Sequence, residues 1–296
     1  MTSETTETLQ LHDTRPATAD PRRWLALPVL LTGAFLPILD FNVVNLALPA
    51  IRDDLGATSS EVQFVISAYA ATYAVFLITG GRLGDLLGRR RMFLTGVAGF
   101  TVASVLCGIA WSPTVLVAGR ILQGLTATVM APQVLASIRV LFPAAEQGRA
   151  LGFYGATFGL ANICGQVLGG VLVSAHPFGL AWQAIFLINV PIGLLGILSA
   201  SLFLPPDQPE RPRPIDGRGL VLSSCALTGL VFGTAVLSLP ALPHWVGYAA
   251  VAVGLGTGLA YLRHARGHPA PILDLRLFRY PLFRSAILGG SLFRLG

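Results

Sequence analysis

A chain of 296 residues with 53% hydrophobic and only 11% charged side chains lacks the composition of a soluble domain, which carries about 25% charge. A mean hydropathy of +0.69 calls for repeated apolar runs of about 20 residues, each able to cross a roughly 30 Å hydrocarbon core, so the chain reads as an all-α polytopic membrane protein. The net charge of +6 and the pI near 9.8 would suit nucleic acid, but the arginines sit between apolar runs, where they set orientation and argue against a nucleic-acid partner.

The first 23 residues are polar and mixed in charge, with Glu4, Glu7, Asp13 and Asp20 against Arg15, Arg22 and Arg23. A secretory signal would have a basic start, a brief apolar centre and a small-residue cleavage site; this stretch reads instead as a disordered cytoplasmic tail. Apolar runs follow at about 25–50, 62–81, 92–111, 113–138, 150–175, 181–205, 219–242 and 244–263, with a ninth starting near 285. Of the 20 arginines, 17 lie in the tail and in alternate loops, and the opposite loops hold only Arg52. That bias places the N-terminus in the cytoplasm of a multi-pass protein of the cell membrane. Cys107, Cys164 and Cys225 lie singly inside apolar runs, without CxxC or histidine spacing, so no disulfide framework or zinc site is indicated.

In the first run, LDFNVVNLALPAI (39–51), Asp40 is the only acid well inside an apolar segment; Arg120 and Arg294 are the arginines in such segments. Asp40 precedes Pro49 by nine residues and Arg120 follows Pro113 by seven. On antiparallel helices both charges then lie roughly 10–13 Å below the same surface. An unpaired ion there costs several kcal/mol, so each must face a partner or a water-filled cavity. Two readings stay open: a structural ion pair, or an Asp40 that takes up and releases a proton while Arg120 biases its pKa. Pro37 frees the carbonyl of Gly33 one turn earlier, so the face shared by Gly33, Pro37 and Asp40 is expected to be broken, polar and wet. Asn42 and Asn45 share another face and read as contacts to a neighbouring helix.

The next polar signal is GRLGDLLGRRR (81–91). Gly81, Gly84 and Gly88 allow a tight cytoplasmic turn with close helix approach, and Asp85 can cap it or pair with arginines such as Arg89 and Arg90. The spacing resembles the G-x-L-x-D-x-x-G-[RK]-[RK] signature of the major facilitator superfamily, between spans two and three as in that family. LVAGRILQG (116–124) is similar to its fourth-helix R-x-x-x-G element, through Arg120 and Gly124. GLANICGQVLGG (159–170) resembles the fifth-helix motif of proton-driven antiporters, through Gly159, Gly165, Gln166, Gly169 and Gly170. LDFNVVNLALP, WQAIFLINVPIG (182–193) and PILDLRLFR (271–279) resemble segments of the 14-helix drug:proton antiporter branch. Asn42, Leu86, Gln183 and Ala184 depart from the usual residues, and Gln166 replaces the proline of Gly-Pro. Any bend or close contact of the fifth helix then falls to Gly165, Gly169 and Gly170. The spacings Gly155–Gly159 and Gly165–Gly169 read first as small-residue helix contacts.

The resemblance implies two six-helix bundles that rock about a midplane site. Residues 24–205 would form the N-terminal bundle, 206–218 a cytoplasmic linker, 219–263 an inserted helix pair, 264–284 a cytoplasmic loop and 285–296 the start of a ninth helix. It further implies proton-coupled efflux of hydrophobic or cationic drugs, or similar small molecules, by alternating access. Asp40 and Arg120 would couple protons, the 81–90 segment would switch conformation, and the proton gradient would be the energy source, with no cofactor. The expected partners are a small-molecule substrate, protons and the lipid bilayer. The chain stops about twelve residues into its ninth run, too few to cross. A second bundle is therefore expected to be missing, Arg294 would face it, and transport by this chain alone is not expected. The alternatives are a truncated membrane fragment that does not transport, and an exporter of an endogenous metabolite. An enzyme is not indicated. Gly254, Gly256 and Gly258 lack the strand–turn–helix context of a dinucleotide site, the chain has no lysine for a P-loop, and the five histidines are scattered, with no metal site expected.

Overall fold

In lipid, a backbone must satisfy its own hydrogen bonds, so each apolar run becomes a helix. The structure, a computed structural model, describes residues 22–175, 177–207, 216–237, 243–268, 271, 279–281 and 284–285. Arg294, the expected ninth-helix segment and most of the expected tail, linker and 264–284 loop lie outside the described residues. The helices are α1 (Arg23–Leu55), α2 (Ser59–Leu87), α3 (Arg89–Gly108), α4 (Pro113–Leu141), α5 (Ala144–Ala175), α6 (Gln183–Leu187), α7 (Asn189–Phe203), α8 (Gly217–Leu237) and α9 (His244–Gly267). With α6 and α7 taken as one stretch, eight described segments are long and apolar enough to cross a membrane.

Local chemistry sets the short connections. Gly56 ends α1 at φ +58°, and Thr58 and Glu61 form a reciprocal capping box that starts α2 two residues later. Ser112 caps α4, accepting from the Val115 amide at 3.3 Å, with Pro113 at the first helical position. Between α2 and α3 the whole turn is Gly88, at φ +99°. Its missing Cβ leaves room for Asp207, whose carboxylate accepts from the amides of Arg90 (2.8 Å) and Arg91 (3.0 Å) at the start of α3.

α1 contacts α4, α5 and α7; α2 contacts α4 and α8; α3 contacts α4 and α7; and α8 and α9 form a hairpin against α2. One apolar cluster joins the first half of α1 (Leu27 to Leu36) to Phe93, Phe100, Met130 and Val134. A second joins the other half of α1 (Leu39 to Ile51) to Val65, Cys107, Leu116, Trp182 and Phe186. Asp40, Ser104, Arg120, Gln123 and Asn189 are all buried at the level where the two clusters meet. The core is therefore two oily layers with a thin polar sheet between them.

Three sequence expectations change. α1 runs unbroken through Pro28, Pro37 and Pro49 to Leu55, because contacts with its neighbours hold a helix that loses single backbone bonds. The sixth span loses regular helical bonding for one residue at Ile188, between α6 and α7, while Ile188 itself keeps the right-handed helical conformation; Pro191 has no N–H to give the Leu187 carbonyl. Gly81, Gly84 and Asp85 belong to α2 rather than to the turn. The closest approach of α2 to α4 falls at Gly80, where an added Cβ would stand 1.9 Å from the Thr128 carbonyl oxygen. At Gly81 the nearest atom, Pro132 Cβ, would be 3.5 Å away.

Gly80→Val should force α2 from α4 and lower stability by about 1–3 kcal/mol, measured by thermal unfolding in detergent. Gly155→Ala, where an added Cβ meets nothing within 4 Å, should be neutral or stabilising by up to about 1 kcal/mol. Equal effects of the two would contradict this account of the α2–α4 contact.

Candidate functional site

The polar sheet is built around one ion pair. Asp40, near the middle of the 33-residue α1, meets Arg120 of α4 through Oδ2 and Nη1, and both side chains are fully buried. Asp40 Oδ1 accepts from Gln123 Nε2 at 2.9 Å and from Asn189 Nδ2 at 2.8 Å. Gln123 is three residues beyond Arg120, on the same face of α4, and its Oε1 accepts from Arg120 Nη1 at 2.8 Å. Ser104 Oγ of α3 accepts from both Gln123 (2.9 Å) and Asn189 (3.3 Å). Asn189 is the first residue of α7.

Arg120 is held from α2 as well. Its Nε donates to the Val65 carbonyl at 3.0 Å, and its guanidinium lies 4.2 Å from the centre of the Tyr69 ring. The Tyr69 hydroxyl donates to the Pro37 carbonyl at 3.1 Å, one turn before Asp40. Arg120 Nη2 and Asn189 Oδ1 are the two buried atoms of the cluster with no hydrogen-bond partner among the described residues. Helices α1, α2, α3, α4 and α7 thus meet in one cluster around Asp40.

This arrangement defines what the cluster can do. Three donors point at Asp40, which suits an ionised carboxylate that only accepts. A proton added there would place an O–H among converging donors and remove the counter-charge of Arg120. Either change would alter the bonds that Arg120, Gln123 and Asn189 make to Asp40. The burial also corrects the expectation of a wet face: Pro37, Gly33 and Asp40 are all buried, and a Cβ on Gly33 would stand 2.5 Å from the Phe93 ring.

The other sequence candidates lie apart from this cluster. Asn42 donates to Asn162 of α5 at 2.9 Å, a contact between helices. Asn45 donates to Phe41 in its own helix at 2.8 Å, so the shared interhelical role expected for the two splits. Gly165 and Gly169 let α5 approach α1, where added Cβ atoms would stand 2.7 Å from Asn42 Cβ and 2.8 Å from Leu46 Cδ1. Gly155, Gly159 and Gly170 meet no described atom within 4 Å, and Gln166 is exposed. At the far end of the bundle, Asp85 pairs with Arg89 at 3.2 Å, and Arg89 donates to the Ala136 carbonyl at 3.3 Å. Arg90 donates to the Ser201 carbonyl at 2.8 Å. Gly84 leaves space that the Gln133 side chain fills, and Gln133 donates to the Gly80 carbonyl at 2.9 Å.

Sequence reading misses Gln123, Asn189, Ser104, Tyr69 and Asp207. The first two carry a signal: an amide three residues from a buried arginine, and an asparagine two residues before a proline in an oily span. Ser104 and Tyr69 carry none, since isolated serines and tyrosines are ordinary in such helices.

The sequence pattern described as Major Facilitator Superfamily matches residues 30–292. The chain belongs to the Major Facilitator Superfamily. Within it, the chain is 39% identical over 279 residues to a probable actinorhodin transporter of Streptomyces coelicolor, covering 93% of this chain and 48% of that protein. It is 37% identical over 276 residues to a tetracenomycin C resistance and export protein of Streptomyces glaucescens, covering 90% and 49%. The chain spans about half the length of these curated relatives. Among solved structures, a bacterial homologue of the human drug peptide transporters aligns with a TM-score of 0.60 at 16% identity, over 82% of this chain and 56% of that one. A D-xylose–proton symporter aligns at 0.54 and 14% identity, over 81% and 68%. These likenesses show the superfamily fold, and the family is one of membrane transporters rather than enzymes.

Removing Arg120 strands a buried carboxylate. Arg120→Ala should cost about 3–5 kcal/mol, read from denaturant unfolding in detergent. Arg120→Lys should rescue little, because an ammonium lacks the planar fork that serves Asp40, Gln123 and Val65 together. A lysine variant as stable as the parent would contradict the geometry described.

Proposed function

We propose that this chain is the N-terminal part of a proton-coupled exporter of hydrophobic or cationic small molecules of the antibiotic type, in the 14-helix drug:proton antiporter branch. The carrying observation is the Asp40–Arg120 pair, buried where the two apolar layers meet and bonded to Gln123 of α4 and Asn189 of α7. Asp40 is the proton carrier in this proposal, and Arg120, Gln123 and Asn189 tie its charge state to helix position. The proton gradient supplies the energy, with no cofactor. The names of its relatives support the substrate class: besides actinorhodin and tetracenomycin C, a puromycin resistance protein of Streptomyces alboniger is 39% identical. A cephamycin export protein of Amycolatopsis lactamdurans is 36% identical.

The arginine bias supports an N-terminus in the cytoplasm and a place in the plasma membrane. Alternating access needs one bundle to move against another, so we assign transport to this half acting with a second bundle. The 81–90 segment, with Asp85 partly exposed beside Arg89, is the element we assign to contact with that bundle. The complete burial of Asp40 also favours a second reading, in which the ion pair only fixes how the helices meet.

The two readings separate in one experiment. In an efflux-deficient bacterium expressing the chain with a second bundle, cell accumulation of puromycin and tetracenomycin C should fall, and an uncoupler should abolish the effect. Asp40→Asn should remain in the membrane yet lose nearly all uncoupler-sensitive efflux. Wild-type efflux by Asp40→Asn under a proton gradient would rule out the coupling role and leave the structural one.

A further inference from the structure

At its open end, the α8–α9 hairpin brings together three side chains that the sequence scatters. Asp216 immediately precedes α8, His264 lies in the last turn of α9, and His268 follows that helix directly. The helical bond from the His268 amide to the His264 carbonyl persists at 3.1 Å, so residues four apart share one face. Their ring centres stand 5.1 Å apart. Asp216 Oδ1 lies 2.6 Å from His264 Nε2 across a sequence separation of 48. One ligand atom from each of the three residues falls within 4.8 Å of the others.

Asp216 is only 5% exposed. Its Oδ1 accepts from the Gly219 amide at 2.8 Å, while Oδ2 is buried with no hydrogen-bond partner among the described residues. Arg218, Arg263 and Arg266 neighbour the cluster in sequence, but all three are exposed.

We propose that Asp216, His264 and His268 form a divalent transition-metal site of the zinc class, which clamps the start of α8 to the end of α9. Two imidazoles and one carboxylate suit zinc, cobalt or nickel; calcium and magnesium prefer all-oxygen shells. Donors of a tetrahedral ion at about 2.0 Å stand about 3.3 Å apart, so the His264–Asp216 contact must open by about 0.7 Å to admit it. Three protein ligands leave one position for water.

The test uses the protein purified in detergent through a tag without histidines. Cobalt(II) is titrated in and followed by the visible absorption of a tetrahedral ion. The folded protein should bind a single cobalt that zinc displaces, and zinc should raise its thermal unfolding temperature. Asp216→Asn keeps an acceptor for the Gly219 amide, and His268→Ala changes a partly exposed residue past the end of α9. Both should stay folded, lose the zinc-induced shift and bind more weakly by over the roughly tenfold typical of an outer-shell change. His244→Ala, at the other end of α9, should bind as the parent does. The absence of a stoichiometric tetrahedral spectrum in the folded parent, or unchanged binding in both variants, would overturn the site and leave an Asp216–His264 hydrogen-bonded pair.

Discussion

A charged side chain inside a bundle that crosses lipid must be answered within the bundle, and that requirement draws α1, α2, α3, α4 and α7 together. Asp40 and Arg120 answer each other, but a guanidinium has five donors and a carboxylate about four acceptor sites. The remaining demand recruits Gln123 from α4, Asn189 from α7, Ser104 from α3 and the Val65 carbonyl from α2. Each recruited group sits at the junction between the two apolar layers. Helix positions along the membrane normal are thereby tied to one pair of charges. A purely oily interface gives no such register, since lipid tails are as apolar as the side chains that would meet.

Close approach is the second half of the design. Gly80 brings α2 onto the backbone of α4, which helps to put Val65 and Tyr69 within reach of Arg120. Gly165 and Gly169 bring α5 onto α1 just past Asp40, and Asn42 bonds α5 there. Asn189 of the sixth span turns its amide to Asp40. At the distant end, Gly88 and Asp207 join the α2–α3 turn to the segment following α7. A displacement of α7 is thus tied both to the ion cluster and to the turn that carries the family signature.

Much of the helix order can be read from composition and spacing, because a lipid-crossing helix leaves a long, unmistakable run. Asp40 and Arg120 can also be read, since charges in such runs are rare and their distances from Pro49 and Pro113 place them at one depth. Their partners are harder, for physical reasons. An amide, a hydroxyl or a tyrosine is tolerated at many places in an oily span, and only the three-dimensional meeting of helices tells a cluster member from a neutral bystander. Prolines mislead in the same way: Pro37 and Pro49 are held inside a continuous α1. Glycine roles also depend on neighbours, so Gly80 carries the contact that spacing assigns to Gly81, and Gly155 and Gly159 face open space. The histidines near the end of α9 join an aspartate only through the hairpin.

The central claim is that the charge state of Asp40 is coupled to the arrangement of these helices. Infrared difference spectroscopy of the protein in membranes, recorded as pH is lowered, tests it directly. A protonated-carboxyl stretch that disappears in Asp40→Asn, accompanied by amide-band changes that disappear with it, is the predicted result. A carboxyl signal unaffected by that substitution, or protonation of Asp40 with no amide-band change, would contradict the account.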